Sequence, residues 1–248
     1  MKTKNNTILI TGGGSGIGFE MAKLFSQENK VIITGRSPER LQKAALQLNN
    51  VTTIAADITN EADVKNLVQR LGAEFPELNI VVNNAGLAHY YKLTDDNADA
   101  YTRASQEIQT NYLSTVRLTE LLISQLKKQE EAAFVNISSI TAFAPGMSLP
   151  TYGVSKAALH SYSQVLRISL EKVSNIKVFE IMPPFVDTDF SAEIGGSKGI
   201  SPVYVAYDVL DALNKNEYEK HVAGTADFYK LFLSSPAAAL EALNSGSN

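Results

Sequence analysis

Short, β-branched apolar runs alternate along the chain with longer amphipathic stretches. The runs predict strands over Thr7–Thr11, Val31–Thr34, Thr52–Ala55, Ile80–Asn83, Phe134–Ser138 and Lys177–Ile181. Most are continuously apolar rather than alternating, the pattern of strands buried on both faces of a parallel sheet. Helical periodicity predicts helices over Gly16–Glu28, Pro38–Leu48, Glu61–Leu71, Ser105–Lys127 and Tyr152–Val173. Ser37 is a plausible N-cap with Pro38 at the first helical position, and Asn60 caps the next helix. Strand–helix repetition with right-handed crossovers gives an α/β, doubly wound parallel sheet of the Rossmann kind. No repeat or linker interrupts it, so residues 1–248 read as one domain. The segment Asp189–Ser201, with Gly195, Gly196, Ser197 and Gly199, breaks the periodicity and reads as a mobile loop, in an enzyme a lid over the substrate. The tail Asn244–Asn248 is expected to fray.

Composition narrows the function. The chain is 44% apolar and 19% charged, ordinary values for a protein with a large core. A net charge of -4 with scattered Lys and Arg argues against nucleic-acid binding. The absence of cysteine excludes disulfides, a thiolate nucleophile and a Cys-ligated metal. His89, His160 and His221 lack ligand spacing, so no metal site is expected. The polar start Met1–Thr7 and the brief apolar run Ile8–Ile10 resemble neither a signal peptide nor a membrane span, and a cytoplasmic protein is expected.

Candidate chemistry begins at Thr11-Gly12-Gly13-Gly14-Ser15-Gly16-Ile17-Gly18, which follows a predicted strand and opens a predicted helix. Gly12 permits a tight turn, Gly16 lets backbone approach a pyrophosphate, and Gly18 allows close helix–strand packing. The helix N-terminus then offers free N–H groups to phosphate. A glycine-rich turn without a ligand is the plainer reading, but the strand–loop–helix context favours a dinucleotide. Where the second strand ends, NAD sites carry a carboxylate for the ribose 2′-hydroxyl. Here Gly35 stands there, followed by Arg36 and Ser37, so NADP is preferred over NAD. Arg36 as an ordinary surface cation is the alternative.

Tyr152 and Lys156 lie one helical turn apart on one face. A nearby ammonium stabilises a phenolate, which suits Tyr152 to donate or accept a proton. Ser139, thirteen residues upstream at a strand end, could hold a carbonyl oxygen as charge develops on it. Singly, these residues could merely pack, solvate or cap; their conjunction with the glycine loop points to chemistry.

On these residues the chain resembles the single-domain short-chain dehydrogenases/reductases over nearly its whole length. The loop matches from Thr11 to Gly18, which sets Gly14, Ser15 and Ile17 against the cofactor together with Gly12, Gly16 and Gly18. Asp57, with Ile58 beside it, matches the acidic residue that contacts adenine in that family. Asn83-Asn84-Ala85-Gly86 matches the segment that steadies the sheet and borders the cofactor. Asn111 matches the asparagine that holds a proton-relaying water in relatives, and with Ser139, Tyr152 and Lys156 it completes the family's catalytic tetrad. The resemblance further implies that Lys156 binds the nicotinamide ribose, and that Pro183, Val186 and Thr188 lie at the nicotinamide end. Two departures stand out. Pro184 replaces the usual glycine, which implies altered geometry or a special peptide isomer. Ser15 stands where many NADP users carry a basic residue. The Pro183-Pro184 pair, Ala142-Phe143-Ala144-Pro145 and Ala242-Leu243-Asn244 are similar to the DltE-like oxidoreductase branch.

The expected substrate is a small carbonyl or alcohol compound in a mostly apolar pocket, with Phe143, Met147, Leu149, Phe185 and Phe190 as candidate lining and His89, Tyr90 and Tyr91 equally assignable to pocket or surface loop. His160 reads as a packing or interface residue. The resemblance implies a homodimer or homotetramer. A non-catalytic nucleotide sensor of the same fold is the alternative, against which the intact tetrad counts. A nucleotide-sugar epimerase would need a longer C-terminal substrate region.

Overall fold

The computed structural model describes residues 1–245, so residues 246–248 of the expected frayed tail lie outside it. Seven parallel strands form one sheet: β1 (Thr7–Thr11), β2 (Lys30–Gly35), β3 (Val51–Ala55), β4 (Leu78–Asn83), β5 (Ala132–Ile137), β6 (Ile176–Met182) and β7 (Glu219–His221). Their order is β3-β2-β1-β4-β5-β6-β7. The order reverses between β1 and β4, and the crevice beyond the strand C-termini at that switch is where such sheets bind ligands.

Helices cover both faces. On one side α1 (Gly16–Phe25), α2 (Pro38–Ala45) and α7 (Pro202–Lys215) bury Met21, Leu41, Val205 and Val209 against Ile8, Ile10, Val82 and Val135. On the other, α3 (Glu61–Glu74), α5 (Ser114–Leu126) and α6 (Tyr152–Glu171) bury Leu67, Leu118, Leu122 and Leu166 against Leu9, Ile32, Val81 and Phe134. Alternate residues of one strand thus feed two cores, which is why the central strands read as unbroken apolar runs. Ser37 and Asn60 cap α2 and α3 through the amides of Arg40 and Asp63, as their sequence positions predict. Among the described residues no helix is long and apolar enough to cross a membrane.

Several elements differ from the sequence expectation. The predicted helix Ser105–Lys127 starts earlier, as α4 (Ala100–Ile108), and passes through a π turn at Gln109–Leu113 before α5. β7, α8 (Thr225–Ser234) and α9 (Pro236–Asn244) complete the fold beyond the last predicted strand. Asp189–Ser201, expected from the sequence as a mobile loop, carries local structure. It contains short 3-10 turns at Asp189–Ile194 and Gly196–Lys198, and its base is closed by a bridge between Val186 and Ile200. Asn244 does not fray: it ends α9 and accepts from the Met147 amide at 2.7 Å.

Candidate active site

The β1–α1 loop takes its shape from backbone. Gly12 and Gly16 adopt left-handed φ values of 67° and 54°, a region that penalises any side chain. Gly18 is spared a side chain for another reason: a Cβ there would run into the Gly12 carbonyl and the Asn84 amide. Gly13 likewise lies hard against Ile33, a packing role that the sequence pattern left unassigned. Ser15 occupies the N-cap of α1 in extended conformation and makes no side-chain cap, so its hydroxyl does not occupy the first amides of the helix. The loop is tied to β4 by Thr11, whose Oγ1 accepts from the Asn84 and Ala85 amides, both at 3.0 Å, while Asn84 Nδ2 donates to Thr11 O at 2.9 Å.

One cavity of approximately 1190 Å³ runs from this loop to the ends of β5 and β6. Gly12, Gly14, Ser15, Gly16 and Ile17 line its floor, and Arg36, Ser37, Asp57 and Ile58 line one end. Asn84, Ala85 and Gly86 follow, and Ser139, Tyr152, Lys156, Pro183, Val186 and Thr188 line the other end. Gly18 and Asn111 stand behind the wall rather than in it. A left-handed glycine cradle that a Cβ would fill, uncapped helix amides and a cleft of this length fit a dinucleotide.

At the first end Arg36 is exposed and is joined by Arg40, four residues on in the first turn of α2. Sequence reading missed Arg40: Arg36 lies before the helix, so no helical spacing links the two, and only the fold brings both to the cavity. Asp57 uses Oδ1 to accept from the Thr59 amide and hydroxyl at 2.9 and 2.7 Å.

At the second end Ser139, Tyr152 and Lys156, expected from the sequence to be catalytic, line the cavity together. Ser139 Oγ accepts from the Thr141 hydroxyl at 3.0 Å and from its amide at 3.2 Å, which leaves the Ser139 proton to be donated. Thr141 is a second residue absent from the sequence reading. Tyr152 opens α6 with its ring 6.0 Å from that of Phe190 on the Asp189–Ser201 segment. Burial pushes the Tyr152 phenol above its ordinary value, a hydrogen bond from Ser139 pulls it back, and the Glu107 carboxylate adds to the rise. Lys156 is buried, its Nζ 5.6 Å from the Tyr152 ring centre and donating to Ile137 O at 2.8 Å. Burial lowers Lys156 to about 8, against the opposing pull of Glu180. At neutral pH it therefore remains mainly an ammonium. The expected lowering of Tyr152 by Lys156 is thus not the dominant effect; enclosure of the phenol outweighs it.

Asn111 sits buried in the π turn, where Nδ2 donates to Leu87 O and Ser155 Oγ, both at 2.8 Å, and Oδ1 accepts from the Leu87 amide at 2.7 Å. Both amide protons are spent in clamping the chain after β4 to α6. Glu107, fully buried on α4, takes bonds from the His89 amide and the Thr151 hydroxyl, and Thr151 meets Tyr91 at 2.8 Å. This network holds the residue that precedes Tyr152, and the sequence offered no signal for it.

Among the candidate lining residues, Tyr90, Leu149, Phe185 and Phe190 reach the cavity. His89, Tyr91, Phe143 and Met147 do not. Phe143 instead packs on His160, His221, Tyr229 and Phe232. No described peptide bond is cis, so Pro184 follows Pro183 in the ordinary isomer, with Pro183 O accepting from the Ile140 amide at 3.0 Å. Leu243 of α9 also lines the cavity.

The short chain dehydrogenase family model matches residues 6–198. An oxidoreductase of Bacillus subtilis (strain 168) called DltE, itself uncharacterized, is 38% identical over 247 residues, covering 94% of this chain and 97% of its own. A short chain dehydrogenase from Burkholderia cenocepacia J2315, solved in complex with NADP, superposes with a TM-score of 0.85 at 24% identity, covering 98% of each chain. The 3-ketoacyl-(acyl-carrier-protein) reductase from Brucella melitensis, solved with NADH, gives a TM-score of 0.78 at 26% identity, covering 85% of this chain and 91% of its own.

Proposed function

Because the chain belongs to the short-chain dehydrogenase family, we propose that it is an oxidoreductase that moves a hydride between a nicotinamide cofactor, NADP by preference, and a carbonyl or alcohol substrate. The observation that carries this reading is convergence: Ser139, Tyr152 and Lys156 meet at one end of a single cavity whose floor is the glycine cradle. When bound, the cofactor supplies or takes up the hydride at the substrate's carbonyl carbon. Tyr152 gives its phenolic proton to the substrate oxygen in reduction, and Ser139 donates a hydrogen bond to that same oxygen, its own lone pairs being engaged by Thr141. Lys156 has two ammonium protons beyond the one on Ile137 O, which suits it to hold the ribose and to support the Tyr152 phenolate. Asn111, its amide committed, acts by keeping the β4 loop and α6 at fixed separation.

NADP is favoured by the arginines at positions 36 and 40 and by Gly35 in place of a carboxylate. Leu149, Phe185, Phe190 and Leu243 favour a carbonyl carried on an apolar body. Exposed Leu121 on α5 and Val154, Val165 and Ile168 on α6 support a homodimer or homotetramer, readable by sedimentation. The decisive experiment follows NADPH and NADH consumption over a panel of ketones and aldehydes with Tyr152→Phe as control. Turnover that Tyr152→Phe abolishes is expected. Turnover that survives the substitution, or cofactor binding with no turnover on any carbonyl, rejects the reading.

A further inference from the structure

The first turn of α6, which carries Tyr152, is gripped by two buried side chains, Glu107 at the end of α4 and Asn111 in the π turn that follows. Asn111 holds it on one side of Tyr152: its amide donates to Ser155 Oγ, and Ser155 Oγ donates to Tyr152 O at 2.7 Å. Glu107 holds it on the other side, where Oε2 accepts from the Thr151 hydroxyl. Each also holds the chain after β4. Asn111 does so through Leu87, and Glu107 through the His89 amide, which donates to Oε1 at 2.8 Å.

Thr151 occupies the N-cap of α6, where a hydroxyl ordinarily accepts from an amide of the first turn. Here it makes no such cap. Its single proton goes to Glu107, so the proton shared at 2.8 Å with Tyr91 Oη comes from Tyr91. The result is a one-way chain from Tyr91 through Thr151 to Glu107, with both outer members buried. The Tyr91 ring lies 4.7 Å from the Arg103 guanidinium, and Arg103 donates to Tyr90 O at 3.3 Å. Tyr90 in turn lines the cavity. A helix whose first hydroxyl serves a buried carboxylate instead of its own amides has its start fixed by tertiary contact. Glu107 thus stands where the cavity wall, the chain after β4 and the helix of Tyr152 come together.

We propose that Glu107 is a positioning residue for the reaction: through Thr151 it fixes the start of α6, and with it the Tyr152 hydroxyl, relative to the wall that Tyr90 lines. This role presupposes that Tyr152 is the proton donor. Glu107 and Thr151 do not line the cavity, so they act through Tyr152 and not on substrate. Proton transfer requires the two heavy atoms within hydrogen-bond reach, and a displacement of about 1 Å at a reacting group can cost about 100-fold in rate. The glycine cradle belongs to the other end of the cavity, so cofactor affinity is expected to hold when the grip is lost.

The test measures kcat, carbonyl KM and NADPH affinity, the last by fluorescence titration, in Thr151→Val and Thr151→Ser. Valine keeps the branched shape and removes the hydroxyl, and kcat is expected to fall about 10- to 100-fold with NADPH affinity unchanged. Serine keeps the hydroxyl and is expected to recover most of that loss. A second pair addresses the carboxylate itself. Glu107→Leu should lose kcat, while Glu107→Gln, whose amide can accept from His89 and donate to Thr151, should recover most of it. Wild-type kcat in Thr151→Val beside a lowered thermal midpoint overturns the proposal, since the contact would then serve stability alone. An equal fall in kcat and NADPH affinity, unrelieved by serine, overturns it as general loosening. So does a Glu107→Gln variant as impaired as Glu107→Leu, which would make charge and not geometry the working part. If Thr151→Val does not fold, the smaller Thr151→Ala is judged by the same criteria. If no carbonyl compound is turned over, the proposed function fails, and the grip is read by NMR. The nuclear Overhauser contact between the Tyr152 and Phe190 rings should then weaken in Thr151→Val and return in Thr151→Ser; an unchanged contact overturns the proposal.

Discussion

The two ends of the cavity are built on different principles. The nucleotide end is built mainly on backbone: left-handed glycines and uncapped helix amides after β1, tied to the chain after β4 by the hydroxyl of Thr11 at the end of β1. The substrate end is made of side chains brought from far apart. Leu149 comes from the chain before α6, Phe190 from the segment after β6 and Leu243 from α9, which Asn244 fastens to the β5–α6 connection through Pro145 O and the Met147 amide. A backbone cradle recognises what every dinucleotide shares, a pyrophosphate. A surface of side chains on remote elements can change its preference without disturbing that cradle. At the substrate end also stand Ser139, Tyr152 and Lys156, the proposed proton-transfer group, at the junction where substrate and cofactor would meet.

The comparison makes its strongest prediction at that junction. Tyr152→Phe keeps the ring that packs 6.0 Å from Phe190 and removes the proton donor alone. kcat is expected to fall by about 100- to 10,000-fold, with NADPH affinity changed only a few-fold, by steady-state kinetics and fluorescence titration. A comparable loss of NADPH binding would show that the two ends are not separable. Next in size, Gly18→Ala places a methyl against the Gly12 carbonyl and Asn84. Overpacking there is expected to cost about 1–3 kcal/mol of stability and to weaken both cofactors equally. A variant with wild-type thermal midpoint and wild-type cofactor affinity would show that the close approach of α1 to β1 is not required. Arg36→Glu should discriminate within the nucleotide end. It is expected to raise the KM for NADPH by about tenfold, the loss of roughly one charged hydrogen bond, and to leave that for NADH nearly unchanged. An equal effect on both cofactors would remove Arg36 from the 2′-phosphate and leave Arg40 to be tested in its place.

The same division explains what could be read from sequence. The nucleotide end was legible because its determinants are local: a buried β1 run, glycines at fixed offsets and a helix start directly after them. Tyr152, Lys156 and Ser139 were legible through one helical spacing and one strand end. The π turn at Gln109–Leu113 was not, since the amphipathic pattern runs across it without a break. β7 escaped because it is three residues long, Glu-Lys-His, and pairs with β6 on one side only. Thr141, Arg40 and the Glu107–Thr151–Tyr91 network are matters of tertiary approach. Phe143 illustrates the limit. Its position in a loop near the sheet's C-terminal end suggested the pocket, yet its ring turns to the His221–Tyr229 stack behind it.

The smallest predicted effect bears most directly on the substrate end. Asn244→Ala removes the bonds to Pro145 O at 3.0 Å and from the Met147 amide at 2.7 Å, both solvent-exposed. Exposed hydrogen bonds contribute about 0.5–1.5 kcal/mol each at most, so the thermal midpoint should shift by only a few degrees. The bonds hold the last turn of α9, which carries Leu243 into the cavity wall. Loosening that turn should raise the KM for apolar carbonyl substrates about threefold, a change of about 0.65 kcal/mol, while the KM for NADPH stays constant. Leu243→Ala, which keeps the fastening and removes the wall, should shift preference toward bulkier carbonyl compounds. If Asn244→Ala altered the NADPH constant instead, the C-terminal helix would act on the cradle, and the two ends of the cavity would be one device.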